Sequence, residues 1–203
     1  MWNALAPVTL SGQLGQLVPL SMNHRGDLEV AVRDGNLWEL WYTQIPRPEA
    51  VSQEIERRLN LQSEQSMLPF AVLDASGRAV GMTTYMNIDL THQRLEIGST
   101  WYAKHVQRTG INTECKWLLL RHAFEELQAI AVEFRTHWFN HPSRRAIERL
   151  GAKLDGVLRH HQRASDGSLR DTAVYSITQP EWAAVNTHLS HQLKRHSQEP
   201  TPC

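Results

Sequence analysis

Between Ile111 and Leu127, apolar residues recur every four positions, and this stripe is the feature that most constrains how the chain can fold. An α-helix turns once in about 3.6 residues, so the stripe lies on one helical face that must be covered. The apolar runs Leu95–Tyr102 and Ile130–Trp138, on either side of it, are typical of strands. The pattern therefore predicts a central helix packed on a sheet. The stripe consists of Ile111, Cys115, Leu119, Ala123 and Leu127.

Elsewhere, short apolar runs alternate with helical patterns, which favours a mixed α/β fold. Polar turns containing glycine, at Asp74–Gly77 and Ser165–Ser168, predict two hairpins. The predicted order is β-α-α-β-β-β-α-β-α-β-β, followed by a last helix. The predicted strands are Gln16–Leu20, Phe70–Leu73, Val80–Tyr85, Leu95–Tyr102, Ile130–Trp138, Val157–His161 and Thr172–Ile177. The helices besides the central one are Ser21–Val32, Pro48–Leu59, Pro142–Leu150 and Pro180–Leu193.

The composition fits a single domain. The chain has 203 residues, 41% of them hydrophobic, which is enough to bury a core. We place the domain at residues 1–178 and expect residues 179–203 to form a C-terminal helix and a disordered tail ending in RHSQEPTPC. Lys plus Arg number 21, as do Asp plus Glu, so no net charge favours nucleic acid or an anionic membrane as a partner.

The sequence predicts neither a secretory signal nor a membrane span. Its first thirty residues lack a basic start followed by an apolar run, and no apolar stretch reaches about 18 residues. Cys115 lies in the helical stripe and Cys203 is the last residue, which argues against a structural disulfide. We therefore expect a cytoplasmic protein.

The segment between the Leu95–Tyr102 strand and the central helix is a candidate anion site. The first turn of a helix has unpaired N–H groups and the positive end of the helix dipole, both of which favour a bound phosphate. Gly110 lets a ligand approach the backbone closely, and Arg108 adds a charge. These features predict a pyrophosphate-binding turn, with an ordinary strand-to-helix loop as the alternative. The segment consists of Gln107, Arg108, Thr109, Gly110, Ile111, Asn112 and Thr113.

Two motifs carry a family resemblance. The segment resembles the Q/R-x-x-G-x-G/A signature of GNAT-superfamily N-acetyltransferases, although Asn112 stands where that signature has glycine or alanine. The flanking LEIGSTWYAKHVQRTGINTECKWLLLRHAFE is similar to ribosomal-protein N-terminal acetyltransferases of the RimJ/RimL type. Downstream, FNHPSRRAIERLGAKLDGVLR follows the N-x-x-S-x-x-x-(I/L)-x-x-L-G pattern of that branch. The matching residues there are Asn140, Ser143, Ile147, Leu150 and Gly151.

The resemblance implies an α/β (α+β) GNAT fold in residues 1–178. Its central sheet is mixed, mostly antiparallel and twisted, with about seven strands that splay between the fourth and fifth and helices on both sides. Acetyl-CoA is the implied cosubstrate, and we predict no metal. The implied coenzyme-binding residues, besides segment 107–113, are Ile97, Gly98, Ser99, Asn140 and Ser143. Three alternatives stay open: Gly98 as a packing glycine, Asn140 as a helix cap and Ser143 as an ordinary residue of the first helical turn.

Acetyl transfer to an amine is helped by a base for the amine proton and an acid for the departing thiolate. Glu96 and His137 are the candidate bases because each lies on or at the end of a strand beside the expected cleft. Ser143 matches the family serine near the coenzyme sulfur and is the candidate acid, with Tyr175 as a substitute. A solvent-facing Glu96 and a hydrogen-bonded edge His137 remain alternatives.

The acceptor is expected to be a primary amine, either a protein N-terminus or a small molecule. Trp38, Trp41 and Tyr42 follow the first helix, where the acceptor side of the family lies, and either bind substrate or cover the core. Pairing of the last strands between chains leaves a homodimer open. A non-catalytic acyl-CoA-binding regulatory module is the alternative function.

Other reactive side chains are expected to have no role in the chemistry. Cys115 is predicted to be a buried small hydrophobe because it lies on the apolar stripe. His188, His191 and His196 are predicted to be solvated rather than metal ligands, since no cysteine or carboxylate cluster accompanies them.

Overall fold

The computed structural model describes residue 2, residues 4–164 and residues 166–198. Within them, eight strands form one sheet, with helices on both of its faces. The strands are β1 Leu10–Ser11, β2 Gly15–Pro19, β3 Met67–Asp74, β4 Ala79–Asp89, β5 Arg94–Tyr102, β6 Ala131–His137, β7 Lys153–Arg163 and β8 Leu169–Thr178. The α-helices are α1 Arg25–Arg33, α2 Val51–Ser63, α3 Ile111–Arg121, α4 His141–Arg149 and α5 Trp182–Gln198.

The sheet order is β1-β2-β3-β4-β5-β6-β8-β7, and β5–β6 is the one parallel pair among the described strands. This confirms the predicted mixed, mostly antiparallel sheet and the predicted order of elements. The two-residue strand β1 was not predicted, because two residues are too few to show a period.

The sheet opens between β5 and β6. These strands pair at Arg94, Leu95 and Glu96, and in the described part of the chain no pairing follows Glu96, although β5 continues to Tyr102 and β6 to His137. Both strands remain paired on their other edges over this stretch, β5 with β4 and β6 with β8. A cleft therefore runs into the sheet from the C-terminal ends of both strands, at the predicted position.

Helices α2 and α3 cover opposite faces of β4. Arg58 of α2 donates to the hydroxyl of Thr84 at 2.7 Å, whereas Tyr85 donates its hydroxyl to the Leu119 carbonyl of α3 at 2.5 Å. Successive strand residues point to opposite faces, so Thr84 and Tyr85 define the two sides of the sheet. Helix α5 packs on the α3 side, where Trp117 donates to Asn186 at 2.7 Å.

Several helix ends differ from the expected bounds. The first two helices begin with 3-10 turns, Met22–His24 and Pro48–Ala50, before α1 and α2. The central helix changes to a π turn at His122–Glu126, so its apolar stripe continues beyond the α-helical part. Gly151 ends the fourth helix with φ 97°, a left-handed value that glycine adopts without strain.

The last helix extends to Gln198, beyond its expected end at Leu193. Residues 195–198, expected to belong to a disordered tail, are therefore helical, and residues 199–203 lie outside the described part of the chain. Leu189 of α5 is fully buried in the same core as α3. None of the described helices is long and apolar enough to cross a membrane.

Candidate active site

The turn before α3 presents a run of free backbone donors. Across the described residues, the N–H groups of residues 108–113 have no hydrogen-bond acceptor, and the next one, of Glu114, donates to the Gly110 carbonyl at 2.9 Å. Arg108 and Gly110 have left-handed φ values of 67° and 90°. Because these donors lie at a helix N-terminus, the turn is suited to bind a diphosphate.

Hydrogen bonds from two side chains stabilise this turn. Gln107 donates to the Tyr102 carbonyl at 3.0 Å, and Thr109 donates to the Val106 carbonyl at 2.6 Å. Arg108 is exposed and has no partner among the described residues, so its charge is available to a phosphate. Asn112, which departs from the family signature, is helical rather than left-handed, and its Oδ1 is buried without a partner in the described part of the chain.

Glu114 holds the first turn of α3 against the N-terminal part of the sheet. Its buried carboxylate accepts hydrogen bonds from the N–H groups of Gln13, Leu14 and Gly15 at 2.8, 2.8 and 3.0 Å. Nothing local in the sequence indicates this role of Glu114, because its partners are about 100 positions away.

Strand β5 carries a bulge inside the cleft. Met82 pairs with Trp101 and Thr84 with Gly98, so that Thr83 faces an extra residue, and Ser99 has a left-handed φ of 48°. Gly98 adjoins this bulge and is also a close-approach position. A Cβ at Gly98 would lie 2.7 Å from the Met86 sulfur and 2.8 Å from Glu96 Oε1. The alternative packing role of Gly98 therefore applies, and the glycine lies next to a bulge.

Glu96 is 5% exposed and stands where β5 and β6 part. Asn87 donates to its Oε2 at 2.7 Å, and Arg135 Nε lies 3.5 Å from the same oxygen. Burial raises the pKa of Glu96, while the Asn87 hydrogen bond and the Arg135 charge act in the opposite direction. The solvent-facing alternative for Glu96 is therefore wrong, and the carboxyl is a stronger base than an exposed one.

His137, at the end of β6, lies in an aromatic cluster. Its Nδ1 accepts the Phe139 N–H at 3.0 Å, which leaves Nε2 as the proton-bearing atom of the neutral ring. Burial, and next the charge of Arg170, lowers the pKa of His137. The Trp41 ring lies 5.1 Å from it, and Tyr42 lies 5.6 Å from Trp41.

The structure thus brings together some predicted acceptor-side residues and separates others. Trp41 is 67% exposed and Phe139 56%, so an open aromatic surface adjoins His137. Trp38 instead packs against the core. Glu96 pairs with Glu133, and His137 lies four residues further along β6, roughly 13 Å away. The two candidate bases are therefore too far apart to share one proton.

Asn140 caps α4. Its Oδ1 accepts the N–H of Ser143 at 3.1 Å, as the alternative assignment proposed, while its Nδ2 has no partner among the described residues. The Ser143 hydroxyl is likewise unpaired there and half-buried. Tyr175 is less suited as an acid, because its hydroxyl donates to Glu148 at 2.8 Å and accepts from Arg144 at 2.9 Å.

A buried lysine of α3 lies against β4 and β5, beside the cleft. Nothing in the sequence indicated it. Lys116 Nζ donates to Thr100 of β5 at 2.7 Å and to Thr83 of β4 at 3.2 Å. Burial lowers the pKa of Lys116 to about 7. The adjacent Cys115 is also buried, which raises the pKa of its thiol to about 12 and leaves it unreactive, in agreement with its predicted core position.

The sheet face around Glu96 carries paired charges. Arg94 contacts Glu133 at 2.5 Å and Arg135 contacts it at 2.9 Å. These side chains line a groove of about 480 Å³ that continues over β6, β8 and β7. No group of histidine, cysteine and carboxylate side chains suited to a metal occurs in the described part of the chain.

Comparison with known proteins agrees with this geometry. Residues 16–153 match the acetyltransferase (GNAT) domain family. The chain therefore belongs to the GNAT acetyltransferases, a family of acetyl-CoA-dependent acyltransferases, and the sequence-based family prediction is confirmed.

Three relatives illustrate the range of similarity. YdaF of Bacillus subtilis (strain 168), named as a proposed ribosomal N-acetyltransferase, is 33% identical over 106 residues, which span 52% of this chain and 57% of YdaF. The match thus covers little more than half of that relative. A proposed acetyltransferase from T. thermophilus is 33% identical over 95% of this chain and 100% of its own, with a TM-score of 0.81. RimJ of Mycobacterium smegmatis, solved with CoA-disulfide, has a TM-score of 0.79 over 93% of this chain and 97% of its own, and at 21% identity it shows the shared fold alone.

Proposed function

We propose that the chain transfers an acetyl group from acetyl-CoA to a primary amine by direct acyl transfer. The observation that carries this proposal is the run of free N–H groups at residues 108–113, next to the cleft between β5 and β6. A diphosphate at this turn would align a thioester arm with the unpaired edge of β5. Arg108 would add a charged contact.

The arm would extend along β5 to the bulge at Gly98 and Ser99. Ile97, Gly98 and Ser99 supply backbone groups there, and Asn140 Nδ2 is the side-chain donor we assign to the arm. Acetyl-CoA supplies the activated acyl carbon. The protein contributes orientation and the exclusion of water.

We assign the two proton transfers from the positions of Glu96 and Ser143. Attack by a neutral amine forms the C–N bond and breaks the C–S bond, which releases one proton from nitrogen and leaves a thiolate. We assign the amine proton to Glu96, directly or through water, because this carboxyl stands at the vertex of the cleft with a raised pKa. The free hydroxyl of Ser143 donates to the thiolate.

His137 is better suited to line the acceptor entrance. Its Nδ1 already accepts a backbone hydrogen bond, and its ring contacts Trp41. We propose that Trp41 and Tyr42 contact the acceptor and that Trp38 supports the core. The acceptor is a protein N-terminus or a small-molecule amine, and the name of YdaF favours a protein.

A further proposal concerns the oligomeric state. Strand β7 is an exposed edge of the sheet, and Leu154, Leu158 and Leu169 of its hairpin are 48%, 41% and 46% exposed. Such an edge favours pairing with a second copy, so we propose a homodimer, to be tested by light scattering. The cytoplasmic location and the domain boundary at residue 178 stay predictions.

The experiment combines binding with turnover. Calorimetry with acetyl-CoA tests the coenzyme site, and thiol release with a panel of amines and peptide N-termini tests transfer. Binding with turnover on at least one amine supports the proposal. Tight binding without turnover on any amine would indicate the non-catalytic regulatory module instead.

A further inference from the structure

Arg170 is a half-buried cation without a counter-ion in the described part of the chain. It lies on β8 opposite Gln162 of β7, and its Nε is buried with no hydrogen-bond partner. No carboxylate lies within ion-pair distance of it among the described residues. By contrast, Arg94 and Arg135 on the same side of the sheet share the carboxylate of Glu133.

This charge lies in the acceptor region. Thr172, two positions along β8 on the same face, pairs with His137. Arg170 is near enough to His137 to lower its pKa, and it also interacts with the charge of Glu96. Its position on β8 therefore places Arg170 beside the aromatic entrance, and its charge also acts on the proposed base, Glu96. The sequence analysis missed Arg170, because it follows a hairpin turn in a stretch that reads as an ordinary exposed strand.

Arg170 is half-buried, and Glu96 attracts its charge without contacting it, so part of the guanidinium is desolvated with no direct partner. This is unfavourable, and arginine cannot relieve it by losing its proton. A carboxylate would remove the penalty, since the guanidinium fork matches its two oxygens. Building on the proposed function, we propose that the acceptor carries a carboxylate near its amine and that Arg170 binds this carboxylate, directing the amine toward Glu96.

A carboxylate near an amine can come from two sources. One is the α-carboxylate of a free amino acid, and the other is an acidic side chain beside the N-terminus of a polypeptide. Two matched acceptor pairs distinguish them: alanine against alaninamide, and a tetrapeptide amide with Asp against Asn at its second position. Each pair differs in charge at almost constant shape, and kcat/KM is expressed per neutral amine because the pKa of the amine is lower in alaninamide than in alanine.

The test measures kcat/KM for both pairs with wild type, Arg170→Gln and Arg170→Lys. Wild type should prefer the carboxylate member of at least one pair by about 10-fold to 100-fold, and that pair identifies the source. Arg170→Gln should bring the preference to within about twofold, and Arg170→Lys should keep part of it because the charge remains but the fork is lost. Unchanged calorimetric affinity for acetyl-CoA would show that both variants are folded.

Arg159→Gln is the matched control, since it removes an exposed charge from the same hairpin and should keep the preference. Wild type without a preference in either pair, or a preference that survives Arg170→Gln or disappears in Arg159→Gln, would overturn the inference. Transfer to no amine would overturn the proposed function as well, whereas transfer without charge preference would overturn this inference alone.

Discussion

Glu96 and Glu133 are the last residues at which β5 and β6 pair, and from this point the two strands separate. The vertex of the cleft therefore carries two carboxylates with different surroundings. Glu133 contacts both Arg94 and Arg135, whereas Glu96 is more deeply buried, accepts a hydrogen bond from Asn87 and has only Arg135, at 3.5 Å, as a cationic partner. Because of this difference, we propose Glu96 as the base and Glu133 as a supporting residue.

Replacing Glu96 with Gln should lower kcat by about 10²-fold to 10⁴-fold, because the amide cannot accept the amine proton. The pKa of Glu96 is raised by burial, so wild-type activity should fall as the pH drops through that raised value. Stopped assays from about pH 5 to pH 9 measure both effects. Glu133→Gln is the paired control and should keep the fall in activity at low pH. The same fall in Glu96→Gln would contradict the proposal that Glu96 is the base.

Replacing Glu114 with Gln should destabilise the fold by about 1–3 kcal/mol, because the new NH₂ group cannot accept one of the three N–H donors. The loss falls at the junction of α3 with residues 13–15. Urea unfolding measures it against Glu126→Gln, an exposed carboxylate on the same helical segment. Equal unfolding free energies for the two variants would show that the Glu114 contacts contribute no net stability.

Lys116 should make stability depend on pH. Its folded pKa is about 7 and its ordinary value 10.5, so between these values the unfolded chain holds a proton that the folded chain lacks. Stability should therefore rise with pH across this window, by up to about 1.4 kcal/mol per unit, and this contribution should level off below pH 7. Lys116→Met should abolish the rise, as followed by urea unfolding at about pH 7, 8 and 9.

The exposed Lys194→Met serves as the control and should keep the wild-type slope. If Lys116→Met showed the same slope as wild type, the lysine would not be the buried group that titrates in this range.

The sequence predicted those parts of the fold that follow from a local pattern of apolar residues. The four-residue stripe gave the position of α3, and the apolar runs gave strands β2 to β8 in the right order. Gly110, between a predicted strand and a predicted helix, was enough to indicate the turn that carries the free backbone donors. Local periodicity and turn chemistry produce these features, and both are visible in one dimension.

What the sequence did not predict depends on contacts between distant segments. Glu114 binds N–H groups about 100 positions away, and Lys116 reaches two threonines on β4 and β5. Arg170 stands out only when the structure leaves it without a counter-ion among the described residues. Each is a polar group inside the fold, where neither hydrophobic period nor family pattern indicates a partner.

We propose that the backbone donors at the head of α3 bind the coenzyme diphosphate, and Gly110→Glu should abolish this binding. The introduced carboxylate would repel the phosphates at a turn whose backbone donors are free. Gly77→Glu is the matched control, because Gly77 has a similar left-handed φ of 81° in a remote hairpin turn, so both variants place glutamate at a left-handed position.

Titration calorimetry with acetyl-CoA should show wild-type affinity for Gly77→Glu and a loss of at least about 100-fold for Gly110→Glu, with both proteins folded. Equal affinity in the two variants would contradict the account.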